Sequence, residues 1–298
     1  MSFGAIADEY NRLRPSPPEQ AVDWLLPARC QVAVDLAAGT GLLTRALAAK
    51  VSNVVAVEPD GRMGAVLRDR SPGVAVVAGK GEAIPLAAAS TDAVFISSAW
   101  HWLNPDLAGP EIARVLRPGG RFGVIWTSRD REVDWVRDID WIREPGARQA
   151  AEAPPRRRHR EVTLPDRGLF RDIEATSFTF TRTMAIGDVV DMVGTYSGII
   201  TASDTDRAVA LARVRASLDE RFAGQAEIDV PMRSWCWRAT VAARLEFGPA
   251  FGRSAGGQTR SARNASTCWL NSSGWSMLLM CPASGITART ARGTLAAR

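Results

Sequence analysis

Five short apolar runs punctuate the first ~130 residues: QVAVDL, NVVAVEP, VAVVAG, DAVFISSA and RFGVIWTS. Helical stretches separate them, LLTRALAAK after the first, GRMGAVLRDR after the second and LAGPEIARVLR after the fourth. The runs are continuously apolar rather than alternating, as expected of strands covered on both faces. Strands that alternate with helices in this way pack as a parallel sheet between two helical layers, the doubly wound α/β architecture. PGG is expected to end the helix before RFGVIWTS.

The rhythm changes after residue ~130. DREVDWVRDIDWIREP reads as a helix, and AEAPPRRRHREV as a Pro- and Arg-rich loop. RRRHR within it is either a solvated basic loop or an anion-binding patch. IEATSFTFTRTMA alternates like a strand, and GDVVDMVGTYSGII and SDTDRAVALARVRASLDERFAG read as helices. Ser203 and Asp206 form a capping-box pattern at the start of the second. EIDVPMRSWCWRAT reads as a final strand, with Pro231 placing it at an edge or a bulge.

From Val241 the composition shifts. Ala, Arg, Gly, Ser and Thr make up 37 of the residues 241–298, and low-complexity sequence of this kind rarely builds a core. Residues 1–240 are therefore read as one domain and 241–298 as a basic tail. The tail reads as disordered, as an extension appended by a shifted frame or lost stop, or as a nucleic-acid-binding arm. It carries seven Arg and one Glu of the chain's 37 basic and 32 acidic residues. The net charge of +5 comes from it, and 30 basic and 31 acidic residues remain in 1–240. A nucleic-acid substrate calls for a basic face on the folded part, and bulk charge gives none.

No apolar stretch approaches the ~20 residues of a membrane span, and the opening residues lack the apolar core of a signal peptide. Four cysteines without a CxxC pair and two histidines argue against a structural metal site and for a reduced, cytoplasmic protein.

The most informative stretch is VDLAAGTGLLTRALA, residues 34–48. Glycines after a strand permit a tight turn, and the following helix start offers free N–H groups. Gly39 and Gly41 fit that role. Asp35 precedes them at the strand end, where it repels a pyrophosphate and suits an ammonium. Glu58 ends the second strand, where an acid accepts both hydroxyls of a ribose. A ligand with a ribose and an amino group but no phosphate fits both acids, and S-adenosylmethionine has that chemistry.

These residues resemble the class I S-adenosylmethionine-dependent methyltransferases, in particular the small-molecule type 11 branch that includes trans-aconitate-type enzymes. DLAAGTG matches the family's acid-x-Gly-x-Gly-x-Gly motif, with Ala37 in place of the first glycine. The resemblance covers residues 1–240. It implies a Rossmann-like sheet of about seven strands with helices on both faces and an antiparallel last strand. It implies that Pro59 and Met63 pack against adenine and that the loop GKGEAIPL, with Gly81 and Glu82, approaches the adenine amino group. Lys80 stands where many relatives carry Asp. RVLRPGGRFGVIW resembles the family's helix–turn–strand after the fourth strand.

SSAWHWL follows that fourth strand, whose end faces the ligand crevice in such sheets. Ser97 is placed beside the cofactor, Trp100 and Trp102 as walls of an acceptor pocket, and His101 as a base or an orienter of the acceptor. YNRLRPSPP resembles the family's opening segment, from which Tyr10 and Arg14 reach the methionine carboxylate or the acceptor. Residues 131–222 are expected to form a substrate lid. The function implied is methyl transfer to a small molecule bearing a carboxylate, hydroxyl or amine, without a metal. Two other readings stand beside it: an inactive cofactor-binding or structural protein of the same fold, and a nicotinamide-dependent oxidoreductase. Thr44 occupies the place of the last small residue in the oxidoreductase fingerprint.

Overall fold

The computed structural model describes residues 3–143, 162–164 and 168–242. The RRRHR segment and the tail beyond Ala242 lie outside the described residues. The chain opens with a short 3-10 turn, Phe3–Ile6, then α1 (Ala7–Leu13) and α2 (Glu19–Leu25). The alternating part follows as β1 (Val32–Leu36), α3 (Leu42–Ala48), β2 (Asn53–Val57), α4 (Gly61–Arg70), β3 (Ala75–Val77), β4 (Thr91–Ser97), α5 (Pro105–Val115) and β5 (Leu116–Arg129). The second part holds α6 (Asp134–Arg143), β6 (Phe170–Ala185), α7 (Ile186–Gly194), α8 (Ser197–Ile200), α9 (Asp204–Arg221) and β7 (Glu227–Val241).

The seven strands form one sheet in the order β3-β2-β1-β4-β5-β7-β6. Neighbours among β1 to β5 run parallel, and β7 runs antiparallel to both β5 and β6. The expected doubly wound sheet with an antiparallel last strand is what the chain forms. The order reverses at β1, so the crevice of the topological switch point opens beyond the ends of β1 and β4.

The pleat sorts the strand residues onto two faces. Val34, Leu36, Val94, Ile96, Phe122 and Val124 pack with Ala108, Ile112 and Val115 of α5 on one face. Ala33, Ala93, Phe95 and Ile125 pack with α2 and α3 on the other. Asp35, between Val34 and Leu36, consequently points toward α3. Along β7 the same face continues from Cys236 outward to Met232, Val230 and Ile228, which bury the helical layer of α6, α7 and α9. Leu13 of α1 joins that second core.

Four local expectations change. PGG does not end α5 before a separate strand: β5 begins at Leu116 and passes through PGG as a bulge, where its register with β4 jumps from Thr91↔Leu116 to Ala93↔Arg121. Gly119 takes φ +78° there, which a glycine adopts without strain. GDVVDMVGTYSGII is two helices, because the Thr195 hydroxyl donates to the Met192 carbonyl at 2.7 Å and caps α7. β7 lies inside the sheet, not at its edge. Pro231 is tolerated because β5 has already ended at Arg129, opposite Met232. A residue's N–H and C=O point to the same side of its strand, and Asp130 N–H donates to the Pro231 carbonyl, so the missing N–H faces that vacated side. Finally, residues 131–222, read as a lid, contribute β6 to the sheet as well as the helices α6 to α9. At the start of α9, Ser203 Oγ accepts from Asp206 N–H at 3.1 Å, as the capping pattern implies.

Candidate functional site

The glycine turn links β1 to α3, and its backbone is left-handed at three residues: Ala37 (φ +56°), Gly39 (φ +59°) and Gly41 (φ +83°). The turn is held from two sides. Ala38 N–H donates to the Val57 carbonyl at 3.2 Å, and Gly41 N–H to the Ala38 carbonyl at 3.0 Å. Arg45 of α3 donates to the Thr40 carbonyl at 2.9 Å and to Asn11 Oδ1 of α1 at 2.7 Å. The opening segment is thus fastened to the turn through Asn11.

The two acids predicted to bind ligand flank this turn. Asp35 is fully buried. Its Oδ2 accepts from Thr44 Oγ1 at 2.6 Å, and its Oδ1 has no hydrogen-bond partner. Burial pushes its carboxyl up to about 7, the Thr44 hydrogen bond opposing and the nearby Glu58 charge adding to the rise. Glu58 is 9 % exposed. Its Oε2 accepts from Gly39 N–H at 2.7 Å and its Oε1 from Asp60 N–H at 2.8 Å. Desolvation raises its pKa, against those two backbone bonds. A carboxylate oxygen accepts more than one hydrogen bond, so both oxygens keep capacity for a ligand's hydroxyls.

Asp60 caps α4 by accepting from Arg62 N–H at 2.9 Å. That fixes Met63, which is buried with its Cε 3.6 Å from where a Cβ on Gly39 would stand. Pro59 is exposed on the same rim. Gly81 is buried, and a Cβ there would lie 2.9 Å from Leu103. Glu82 Oε1 accepts from Asn104 N–H at 2.9 Å, tying the loop after β3 to the start of α5. Lys80 is exposed.

Ser97 ends β4 and is half-buried. Ser98 follows with φ +55° while its N–H donates to the Ile125 carbonyl at 2.8 Å. A serine held left-handed at a strand end is strained, and such residues concentrate at functional sites. The kink starts a 3-10 turn, Trp100–Trp102. Trp100 is only 3 % exposed and packs on Phe122 at 5.5 Å between centroids, so it serves the core. His101 and Trp102 are exposed, with ring centroids 4.9 Å apart. Of the expected pocket walls, only Trp102, 61 % exposed, keeps an open face.

Tyr10 and Arg14 stand together, the Arg14 guanidinium 5.1 Å from the Tyr10 ring. Arg14 reaches the end of α7: its Nη2 donates to the Thr195 carbonyl at 3.1 Å, and its guanidinium lies 3.9 Å over Tyr196.

Sequence reasoning overlooked Asn11, Arg45 and Arg129, and it noted Thr44 without its hydrogen bond to Asp35. Arg129 carried a usable signal. It is a charge at the end of an apolar strand, as Asp35 and Glu58 are, and it is 2 % exposed.

Among the described residues no helix is long and apolar enough to cross a membrane, and no group of three potential ligands is placed to hold a metal.

Comparison with known proteins agrees with this architecture. The family described as Methyltransferase domain matches residues 34–124, the stretch from β1 into β5. The uncharacterized methyltransferase Rv3342 of Mycobacterium tuberculosis is 39% identical over 244 residues, covering 81% of this chain and 96% of the relative. The uncharacterized methyltransferase-like C25B8.10 of Schizosaccharomyces pombe is 30% identical over 225 residues, covering 74% of this chain and 85% of the relative. A solved structure from Anaeromyxobacter dehalogenans, a type II methyltransferase by description, superposes with a TM-score of 0.59 at 26% identity, covering 77% of this chain and 97% of that one.

Proposed function

The chain belongs to the class I S-adenosylmethionine-dependent methyltransferases, and from that premise we propose that it moves a methyl group to a small-molecule acceptor. The observation that carries this reading is the pair of acids astride the glycine turn. Asp35 Oδ1 is a buried acceptor without a partner, and it fits an ammonium. Glu58 stands across the turn with acceptor capacity on both oxygens, and it fits a ribose. Met63 borders the glycine turn, its Cε 3.6 Å from where a Cβ on Gly39 would stand, and its thioether suits contact with an adenine. A pyrophosphate in the same turn would meet the Asp35 carboxylate, which disfavours the oxidoreductase reading.

When bound, S-adenosylmethionine supplies a methyl already activated on a sulfonium. The chain's own contribution is then mainly alignment. Ser97 and the Ser98 kink set the wall of the crevice beyond β4. The turn they start brings His101 to its rim, where it accepts a proton from an acceptor hydroxyl or amine, or orients an acceptor that needs no base. Trp102 offers a ring face to the acceptor's apolar part. In this reading the helices of 131–222 serve as the lid, and the Arg12–Asp188 ion pair at 2.5 Å joins α7 to the opening segment. Tyr10 stands at that junction.

The test is calorimetric titration of S-adenosylhomocysteine into the full chain, beside Glu58→Ala and Glu58→Gln. Micromolar binding, weakened more than tenfold (about 1.4 kcal/mol) in Glu58→Ala and less in Glu58→Gln, is the expected result. No binding by the native chain would sink the reading. Once an acceptor is found, His101→Gln separates the two roles: a base is worth about 10²- to 10⁴-fold in rate, whereas an orienter shows chiefly in KM.

A further inference from the structure

Two cations converge on one aromatic ring at the crevice end of the sheet. Arg14 follows α1, and its guanidinium carbon is 3.9 Å from the Tyr196 ring centroid. Arg129 ends β5, and its guanidinium carbon is 5.3 Å from the same centroid. Tyr196 lies in the link between α7 and α8. The three residues thus come from the opening segment, the sheet and the helical layer. β5 is one strand beyond β4, about 4.8 Å across the sheet, so the cluster stands to the side of the line between Asp35 and Ser97.

Arg14 is the unusual member. It forms no ion pair among the described residues, and its Nε is buried without a hydrogen-bond partner. Among the described residues its one side-chain hydrogen bond runs from Nη2 to the Thr195 carbonyl. A cation–π contact offsets part of a guanidinium's lost hydration, but it leaves the in-plane N–H donors unmet. Burying such a donor unmet is costly. A planar oxyanion meets that need best, since a carboxylate matches the guanidinium's fork with two parallel hydrogen bonds.

Beyond its own helix Arg14 reaches the Thr195 carbonyl and the Tyr196 ring, at the end of α7. The glycine turn is served instead by Asn11 through Arg45. The geometry points to an anchor for the acceptor: we propose that Arg14, with Arg129 and Tyr196 around it, binds a carboxylate of the acceptor that is held there and not itself methylated. This rests on the methyltransferase reading above. A carboxylate paired with guanidinium is a poor nucleophile, because the cation stabilises the charge it would have to share. The methylated atom is therefore a different one, nearer Ser97 and His101, and the acceptor is a molecule with a reactive group and a separate acid.

The methionine carboxylate of the cofactor has the same chemistry, and the experiment separates the two sources. Straight-chain and phenyl-substituted carboxylates, each beside its amide, are titrated into the full chain with and without saturating S-adenosylhomocysteine. S-adenosylhomocysteine and methylthioadenosine, which lacks the amino-acid end, are titrated into the native chain, Arg14→Gln and Arg129→Gln. The expected result is at least one carboxylate bound tenfold more tightly than its amide. That preference is lost in Arg14→Gln, while affinity for S-adenosylhomocysteine stays within twofold of native. Arg129→Gln gives the same loss and serves if Arg14→Gln does not fold. Absence of any carboxylate preference overturns the proposal. So does a tenfold loss of S-adenosylhomocysteine binding in Arg14→Gln with methylthioadenosine unaffected, which assigns Arg14 to the cofactor. Failure of S-adenosylhomocysteine to bind the native chain removes the methyltransferase reading, and the carboxylate series without it still decides the anchor.

Discussion

Thr44 and Asp35 share a hydrogen bond of 2.6 Å that commits one carboxylate oxygen and leaves the other, equally buried, without a partner. The asymmetry follows from the fold. The pleat turns Asp35 toward α3, and Thr44 stands in the first turn of that helix, on its buried side. The hydrogen bond fixes the rotation of the carboxylate, so the orphaned Oδ1 has a defined place. An acceptor held ready in this way costs little to orient when a cation arrives, and it destabilises the empty site.

Cofactor affinity should therefore depend on pH. Burial raises the Asp35 carboxyl to about 7 in the unliganded chain, so near neutrality a fraction of molecules carries a proton where the ammonium must bind. Affinity for S-adenosylhomocysteine is expected to rise between about pH 5.5 and about 7 and then level off, with proton release on binding. The folding linkage has the opposite direction. Folded Asp35 holds its proton above the unfolded value of 3.8, so its contribution to stability is full below about pH 4 and is lost as pH rises through about 7. Titrations in two buffers of different ionisation enthalpy check the first point. A dissociation constant independent of pH over this window would refute it.

Thr44→Val should move that dependence. A hydrogen bond to a charged group contributes about 1.5–3 kcal/mol, or roughly one to two pH units in the carboxyl's proton affinity. Removing the donor raises the Asp35 pKa further, so binding at pH ~7 is expected to weaken about tenfold and to recover at higher pH. Thr44→Ser, which keeps the hydroxyl, should follow the native curve. A midpoint that stays in place in Thr44→Val would mean that Thr44 does not tune Asp35.

Ala37 is a strained residue, and Ala37→Gly should relax it. Its φ of +56° lies in the left-handed region, which costs an L residue about 1–2 kcal/mol. Glycine's extra freedom in the unfolded chain returns about 0.4–1 kcal/mol of that. The net expectation is stabilisation of about 0.5–1 kcal/mol by urea denaturation, with affinity for S-adenosylhomocysteine unchanged. Destabilisation would show that the Ala37 methyl group packs in a way that outweighs its backbone strain.

Much of this site was legible because the sequence marks it twice. Asp35 and Glu58 are acids at the ends of apolar strands, and glycines stand between them, so each signal supports the other. Trp100, His101 and Trp102 were not separable, since consecutive residues in a short turn have no periodicity from which to tell the buried ring from the exposed ones. The position of β7 was misread for a related reason. Pro231 is a local signal, whereas what permits it is the end of β5, a distant segment. Arg14 was recognised but its protein partner was not, because the Thr195 carbonyl that it meets is 181 residues away. Arg129 shows the converse. Its strand-end charge was as visible as those of the two acids, but it was not linked to a pattern.

Gly39 and Gly41 look alike in the sequence, and alanine should separate them. Both have positive φ, +59° and +83°, so each substitution carries the left-handed cost of about 1–2 kcal/mol. A Cβ on Gly39 would meet only Met63 Cε, at 3.6 Å, an ordinary contact. A Cβ on Gly41 would lie 2.8 Å from Leu67 Cγ and 3.3 Å from Arg45 Nη1. Leu67 is fully buried, so it has no room to withdraw, and overpacking adds about 1–3 kcal/mol. Gly41→Ala is expected to lose roughly 2–5 kcal/mol of stability and to loosen the Arg45 tie to the opening segment. Gly39→Ala is expected to lose about 1–2 kcal/mol but more than tenfold in affinity for S-adenosylhomocysteine, because its methyl group enters the space beside Met63. Urea denaturation and calorimetry on both variants check the pair. Equal stability losses would refute the packing argument for Gly41, and undiminished binding by Gly39→Ala would move the adenine away from Met63.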